Sequence, residues 1–487
     1  MSSNANALNL SMPGNPRYQP KSLKSIFGYD KLMSYVAQVE VATLEVLGEI
    51  GVIPPEDSAY LTSDVIEQLL AIRTTDVDHI ERTLTKHDIR AWIRCAQEIV
   101  HPCLRRWIHV PLTSYDALDT ARSLMFVRVH REVLRPLVLR VINAFSERAA
   151  TFASQLQIGR THGQHALPIT VGFWFATILS RVVANCEELE RHSEGLVGKI
   201  SGAVGAYNAQ VGLGMNAFLG GGSLEERILA KCGLKAAPIS TQILPPEPLA
   251  YYLFSCTMLS ASLAQFGRDC RNLMRTEIAE IGEPFAKGQV GSSTMAHKRN
   301  PITFENIEGM WWRTKNEFGK VLDTFISEHQ RDLVGSCVAR DFPAIVINVV
   351  HQLETLMRED SGHIPFITRI SVDAEKCNEN FLQSAHVITA EPWYIALQMA
   401  GYPGDAHELI NHTAVPLAKE KGYQLSDVMN TLADGDEELS EAIERIPFDV
   451  LELLGDPERY IGNAVQKTAE AVYRAYLFCS HLRCQNP

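Results

Sequence analysis

Paired cysteines, an excess of basic charge and a long apolar run are all missing from this sequence. The 10 cysteines stand singly, as at Cys95, Cys186, Cys256 and Cys337, with no CxxC pair and no zinc-type His/Cys spacing. That pattern argues against a disulfide scaffold or a cysteine metal site, and reads as reduced thiols in a cytoplasmic protein. A formal net charge of −12 argues against broad binding to nucleic acid or to an anionic membrane. A local group of Arg and Lys can still oppose that sign for a small anion. No stretch of about 18 apolar residues occurs, so no membrane-spanning helix is expected. The opening MSSNANALNLSMPGNPRY lacks the basic head and apolar core of a signal peptide, and none is expected.

Strand signals are few, whereas helical periodicity is abundant. KLMSYVAQVEVATLEVLGEIG sets Leu32, Val36, Val39, Val46 and Ile50 at helical spacing and stops at Gly51. The pattern returns from Arg122 to about Phe152, with Pro136 inside the run as a source of a kink. Further long helices are expected in WFATILSRVVANCEELERHSEGL, in LAYYLFSCTMLSASLAQFGRDCRNLMRTEIAEI and in NPITFENIEGMWWRTKNEFGKVLDTFISEH. At 487 residues the chain exceeds one ordinary hydrophobic core. The expectation is an all-α protein whose central bundle of long helices is built from facing apolar stripes. Its division runs as a disordered tail at 1–16, a helical part at 17–121, the bundle at 122–367 and a second helical part at 368–487. Stripes this long often continue across subunits, so an oligomer is expected.

Chemistry gathers in five stretches. GSSTMAHKRNP, from Gly291 to Pro301, concentrates Ser292, Ser293, Lys298 and Asn300 in a glycine-rich loop. Asn300 then Pro301 reads as an N-cap followed by a first-turn proline, so a helix start would offer free N–H groups to an anion there. IGRTHGQHALP puts Thr161, His162 and His165 in a loop broken by glycine, after Arg160, which suits proton transfer as well as a purely structural histidine. WIHVPLTSYDALDTA carries His109, Thr113 and Ser114 before a long helix, whose amino end Asp116 and Asp119 suit as charges. TKHDIRAWIRC carries Lys86, His87 and Asp88, which also fit a plain cluster of charges at a helix start. SEHQRDLVGSCVARDF spaces Arg331, Ser336 and Arg340 so that two guanidiniums and a hydroxyl can grip a phosphate. Ion pairs of these arginines with Asp332 and Asp341 are the competing reading.

Taken together, these stretches resemble the fumarase/aspartase superfamily. GSSTMAHKRNP is similar to its signature GSSxMPxKxNP, and TSYDALDTA and GRTHGQHALP to its two other shared segments. Within it, PRYQP with Arg17 and Tyr18, KISGAVGAY, AAPISTQ with Gln242, and the Arg331, Ser336, Arg340 spacing resemble the adenylosuccinate lyase subfamily. Three positions depart from the family pattern: Ala296 stands for proline, Pro111 for glycine and Lys86 for arginine.

The resemblance implies a three-domain fumarase/aspartase-like fold in a homotetramer, with active sites shared between subunits and no cofactor or metal. It also implies elimination of fumarate from a succinyl-nucleotide, adenylosuccinate to AMP and SAICAR to AICAR, in purine synthesis. Ser293 is the expected base, with Ser292 as second choice, and His162 the expected acid, oriented by Glu305. Lys298 and Asn300 would stabilise the developing charge. Thr113 and Ser114 would take a carboxylate of the succinyl group, while Arg331, Ser336 and Arg340 hold the phosphate. Arg17, Tyr18, Lys86, His87, Asp88, His109, Thr161 and Gln242 would position the substrate. The alternatives are a lyase of the same superfamily for another succinyl-amine or a carboxymuconate, an inactive structural relative, and a nucleotide-binding regulator.

Overall fold

A computed structural model of the chain describes residues 18–285, 294–295 and 297–484. Arg17, Ser292, Ser293 and Ala296 therefore lie outside the described residues, as does the tail at 1–16. Helices dominate, as the periodicity predicts. The longer ones are α1 (Leu32–Glu49), α2 (Asp88–Ile99), α3 (Ser114–Val129), α4 (Arg135–Thr151), α5 (Val171–Ser193), α6 (Glu247–Leu273), α7 (Ile302–Asp323), α8 (Pro343–Leu356), α9 (Ala374–Ile388) and α10 (Ala464–Cys484). Helix α1 ends where expected, because Gly51 takes φ +79°, a left-handed conformation open to glycine at little cost.

The run containing Pro136 is not one uniform helix. α3 passes into a π-helical turn at His130–Leu134, closed by the Arg135 N–H on the His130 carbonyl, and α4 follows. Proline has no N–H to give, and the widened turn just before it reorganises the ladder where a bond is lost.

Two compact units are formed. One takes the described parts of Met1–Arg140, Ala184–Ala264 and Ile307–Met357. In it α1 packs on α3, and Phe27, Phe126 and Tyr252 stack edge-on with ring centres 5.5 and 6.1 Å apart. The other takes the described parts of Val141–Val183, Gln265–Asn306 and Arg358–Pro487. Its centre is a chain of buried rings: Phe145 lies 4.9 Å from Phe266, Phe266 6.3 Å from Phe304, and Phe304 5.8 Å from Phe366. A satellite core there gathers Trp393, Leu397, Ile410, Leu425, Met429 and Leu439 among the shorter carboxy-terminal helices.

One expectation is corrected. IGRTHGQHALP is not a loop but an antiparallel hairpin of β1 (Leu156–Thr161) and β2 (Gln164–Thr170). Its turn is His162–Gly163, with φ +53° and +77°, the sign pair of the two-residue turn that matches strand twist. A register shift between Ile158 and Arg160 places a bulge at Gly159, where the Leu167 carbonyl would sit 2.7 Å from any Cβ.

Candidate active site

Helix α3 opens with consecutive residues that join separate clusters. Thr113 is its N-cap, in a capping box with Asp116. The Asp116 carboxylate is fully buried and accepts from the N–H groups of Thr113 (2.8 Å), Ser201 (3.1 Å) and Gly202 (3.2 Å). It also pairs with the ammonium of Lys199, itself fully buried. Asp116 thus does more than charge a helix end: it ties the Thr113–Ser114 turn to the loop at 199–202. Ser114 Oγ lies 3.5 Å from His87 Nε2.

His87 caps α2 through Nδ1, which accepts from the Arg90 N–H at 3.5 Å. Lys86 is left-handed at φ +55° and gives its ammonium to the Arg82 carbonyl, while Asp88 Oδ1 accepts from the Ile89 N–H at 2.7 Å. Lys86 therefore closes the preceding π-helical turn at Glu81–Thr85, Asp88 begins α2, and among the three His87 is the one that reaches Ser114.

His109 stands near by with φ +68°, its Nδ1 2.6 Å from the buried Glu40 carboxylate. Burial works against its charged ring, but Glu40 prevails and holds the pKa above the ordinary value. The folded protein then grips this proton more tightly than the unfolded chain. The pair's stabilisation is fully present below about pH 6.5 and fades as pH rises through the raised value. His109→Asn, whose new residue tolerates a left-handed backbone, should lower the melting temperature more at acidic than at alkaline pH. Paired melts across that range check it, and a pH-independent difference would remove the charge.

The next residue along α3, Tyr115, meets the last stretch. The Arg331 guanidinium carbon lies 3.5 Å from the centre of the Tyr115 ring, and the Tyr115 hydroxyl donates to Ser336 Oγ at 3.3 Å. Arg331 also donates from Nη1 to Gln242 Oε1 at 3.1 Å. Asp119 accepts from the Leu244 N–H at 3.0 Å and pairs with Arg122, so the Gln242 segment is held to the same helix. Burial pushes the Asp119 carboxyl up, against the pull of Arg122. Tyr115, Asp119, Arg122, Arg331 and Ser336 line a cavity of about 130 Å³ whose further lining is largely apolar, with Phe126, Ile243, Leu249 and Phe342 among it. Arg340 makes none of these contacts. It is exposed, and its charge acts on Tyr29 and Glu81. Tyr18 lies against His351, edge-on at 5.7 Å, and under Arg313.

In the other unit the hairpin carries Thr161 and His162 at its exposed tip. Its base is fixed by a buried carboxylate. Glu280 accepts from Arg160 Nη2 at 2.6 Å, Gln157 Nε2 at 2.8 Å and Asn380 Nδ2 at 2.9 Å. Arg160 is thereby occupied structurally. His165 bonds Ser384 Oγ at 2.9 Å, and burial with the Arg160 charge lowers its pKa, which favours a neutral ring.

The helix after the signature stretch begins one residue later than expected. Pro301, not Asn300, accepts the first helical bond, from Glu305 N–H at 2.9 Å. Its amino end is not open to an anion either. Glu283 caps it, accepting from the Thr303 N–H at 3.0 Å and the Thr303 hydroxyl at 2.6 Å. Lys298 and Glu305 are exposed and Asn300 half-buried. Among the described residues no hydrogen bond joins Glu305 to His162. No group of His, Cys, Asp and Glu suited to a metal ion occurs among the described residues.

A family model described as lyase matches residues 26–314. The chain belongs to this lyase family. It is an enzyme of that class, with the fumarase/aspartase fold that the signature stretch resembles. Adenylosuccinate lyase of Pyrococcus horikoshii is 30% identical over 469 residues, 94% of this chain and 97% of the relative. That of Methanocaldococcus jannaschii is 29% identical over 94% of this chain and 95% of its own. That of Bacillus subtilis is 33% identical over 66% of this chain and 71% of its own. The fold matches the 3-carboxy-cis,cis-muconate lactonizing enzyme of Pseudomonas putida (TM-score 0.76, 23% identity, 95% of this chain and 98% of that one). It equally matches a fumarate lyase from Mesorhizobium (TM-score 0.76, 20% identity, 95% and 100%). No described helix is long and apolar enough to cross a membrane.

Four residues that organise the site segments of this lyase are absent from the sequence-based expectations. Tyr115 was visible inside TSYDALDTA but has no chemistry that singles it out. Lys199 lies within KISGAVGAY, where a lysine in an apolar stretch is a signal for a buried partner. Glu280 and Glu283 leave no local signal, because their partners are distant in the chain.

Proposed function

We propose that this lyase eliminates fumarate from adenylosuccinate to give AMP, and from SAICAR to give AICAR. The observation that carries the reading is the likeness to adenylosuccinate lyases over nearly the full length of both chains. The gathering of Arg331 and Ser336 on the one side chain of Tyr115 supports a phosphate-bearing substrate, since a simple dicarboxylate needs no such grip.

The chemistry sets the roles. Ser293, in preference to Ser292, removes a weakly acidic proton from the carbon beside a carboxylate. The electron pair passes onto that carboxylate, which approaches two negative charges. Lys298 and Asn300 supply donors for it, each worth on the order of 3 kcal/mol in a site without water. The pair then returns to form the double bond of fumarate as the C–N bond breaks, and His162 protonates the departing nitrogen. Glu305 orients His162, following the logic of a base held by a carboxylate. Since both are exposed and unbonded to each other in one chain, that pairing is assigned to the subunit contacts of a homotetramer. The exposed stripe of Tyr251, Phe254 and Met258 on α6 supports such assembly.

Thr113 and Ser114 bind a succinyl carboxylate, with His87 and His109 positioning the substrate and Thr161, Lys86, Asp88 and Gln242 in further binding roles. Arg331, Ser336 and Arg340 hold the phosphate, and Arg17 and Tyr18 the nucleotide. Mixing the pure protein with adenylosuccinate should release fumarate and AMP in equal amounts. No release from that substrate, with turnover of another succinyl-amine or a carboxymuconate, would move the assignment within the superfamily. Arg340→Ala should raise the KM for adenylosuccinate far more than it shifts the melting temperature, and an unchanged KM would remove its phosphate role.

A further inference from the structure

We infer that Tyr115 is a positioning residue that aims Arg331 and Ser336 at the phosphate of the substrate. This rests on the proposed phosphate role of that pair. Tyr115 is buried to 8% exposure in the first turn of α3. A buried tyrosine needs a partner for its hydroxyl, and any acceptor would serve. Here the ring and the hydroxyl engage two members of one functional set, five residues apart on another segment. The ring carries the Arg331 guanidinium at 3.5 Å, with Arg122 approaching the same ring at 5.9 Å. The hydroxyl bonds Ser336.

Each contact has a consequence for anion binding. A guanidinium over a ring face is attracted by the quadrupole and loses freedom to swing. Its planar fork then keeps one orientation, completed by Nε on the Asp332 carbonyl at 3.2 Å and Nη1 on Gln242. Nη2 carries no hydrogen bond among the described residues, which leaves it for the ligand. Ser336 Oγ accepts the hydrogen bond from the Tyr115 hydroxyl, so its own hydrogen points elsewhere and can be given to an anion. The bond it accepts also polarises the one it donates. Ordering that would otherwise be charged against binding is thus done in advance. Because Tyr115 directly follows Thr113 and Ser114, one helix start sets both the carboxylate turn and the phosphate grip.

The test is steady-state kinetics of Tyr115→Phe and Tyr115→Leu on adenylosuccinate and on the same succinyl-nucleoside without its phosphate. The readout is the ratio of the two kcat/KM values. Tyr115→Phe removes only the hydroxyl bond and should lower the ratio about two- to tenfold. Tyr115→Leu also removes the ring and should lower it roughly ten- to a hundredfold. The loss should fall mainly in KM for the nucleotide. A damaged fold would depress both substrates together and leave the ratio unchanged, which would overturn the inference. Arg331→Ala run alongside separates the two levels. If it lowers the ratio and the tyrosine variants do not, Tyr115 has no positioning role. If it too leaves the ratio unchanged, the phosphate reading itself fails.

Discussion

Ser293→Ala should lower kcat for adenylosuccinate by roughly 10²–10⁴-fold, the range spanned by loss of a positioned proton-transfer group. AMP binding should stay near that of the unaltered enzyme, because the grip on the nucleotide is assigned to Arg331, Ser336 and Arg340. The reason is chemical. The proton sits on carbon and is weakly acidic, so its removal needs a base held at the reacting atom, and alanine has none to offer. A serine hydroxyl serves only if its alkoxide is stabilised by positive charge. Because Glu283 already caps α7, the helix end contributes less of that field than a bare amino terminus would. The cations of the signature stretch, Lys298 foremost, must supply more of it, so Lys298→Met should cost a comparable factor. Fumarate release measured for Ser292→Ala and Ser293→Ala side by side decides the base. Near-normal turnover from the second variant, with loss in the first, would pass the role to Ser292.

Asp116→Asn should destabilise the protein by about 3–5 kcal/mol, the cost of leaving one member of a buried ion pair without its partner. Lys199 is fully buried, and its remaining acceptor is the Gly202 carbonyl at 3.4 Å. Lys199→Met should cost less, because Asp116 keeps the N–H bonds from Thr113, Ser201 and Gly202. The double variant should lose less than the sum of the two, since neither charge is then stranded. Unfolding in denaturant checks the order, and a loss below about 1 kcal/mol for Asp116→Asn would show that the pair is solvated. The same substitution should lower kcat/KM, as Asp116 also holds the Thr113 turn.

The helical scaffold was legible because its signals are local. Apolar residues recur every three or four positions in α1, and Gly51 ends it in a conformation few other residues take at low cost. The candidate site was legible as a set of segments and less so as an arrangement. His162 and Gly163 were read as loop, since a two-residue turn with both φ positive looks like any glycine-bearing break until its flanking strands pair. The expected N-cap of α7 failed for a related reason. Glu283, 20 positions before Thr303, reaches the helix start more effectively than the neighbouring Asn300. Arg340, grouped with Arg331 and Ser336 by its spacing, shares none of their contacts with Tyr115 in the single chain, where its charge acts on Tyr29 and Glu81.

By itself the sequence determined the all-α class, the long helices and the lyase family motifs, because periodicity, caps and motif spacing act over a few residues. Only the tertiary structure decided which carboxylate meets which cation. Tyr115 finds Ser336 across 221 positions and Asp116 finds Lys199 across 83. Such partners are chosen by the packing of helices that bury apolar faces, and a buried charge then accepts whichever opposite group that packing brings within reach.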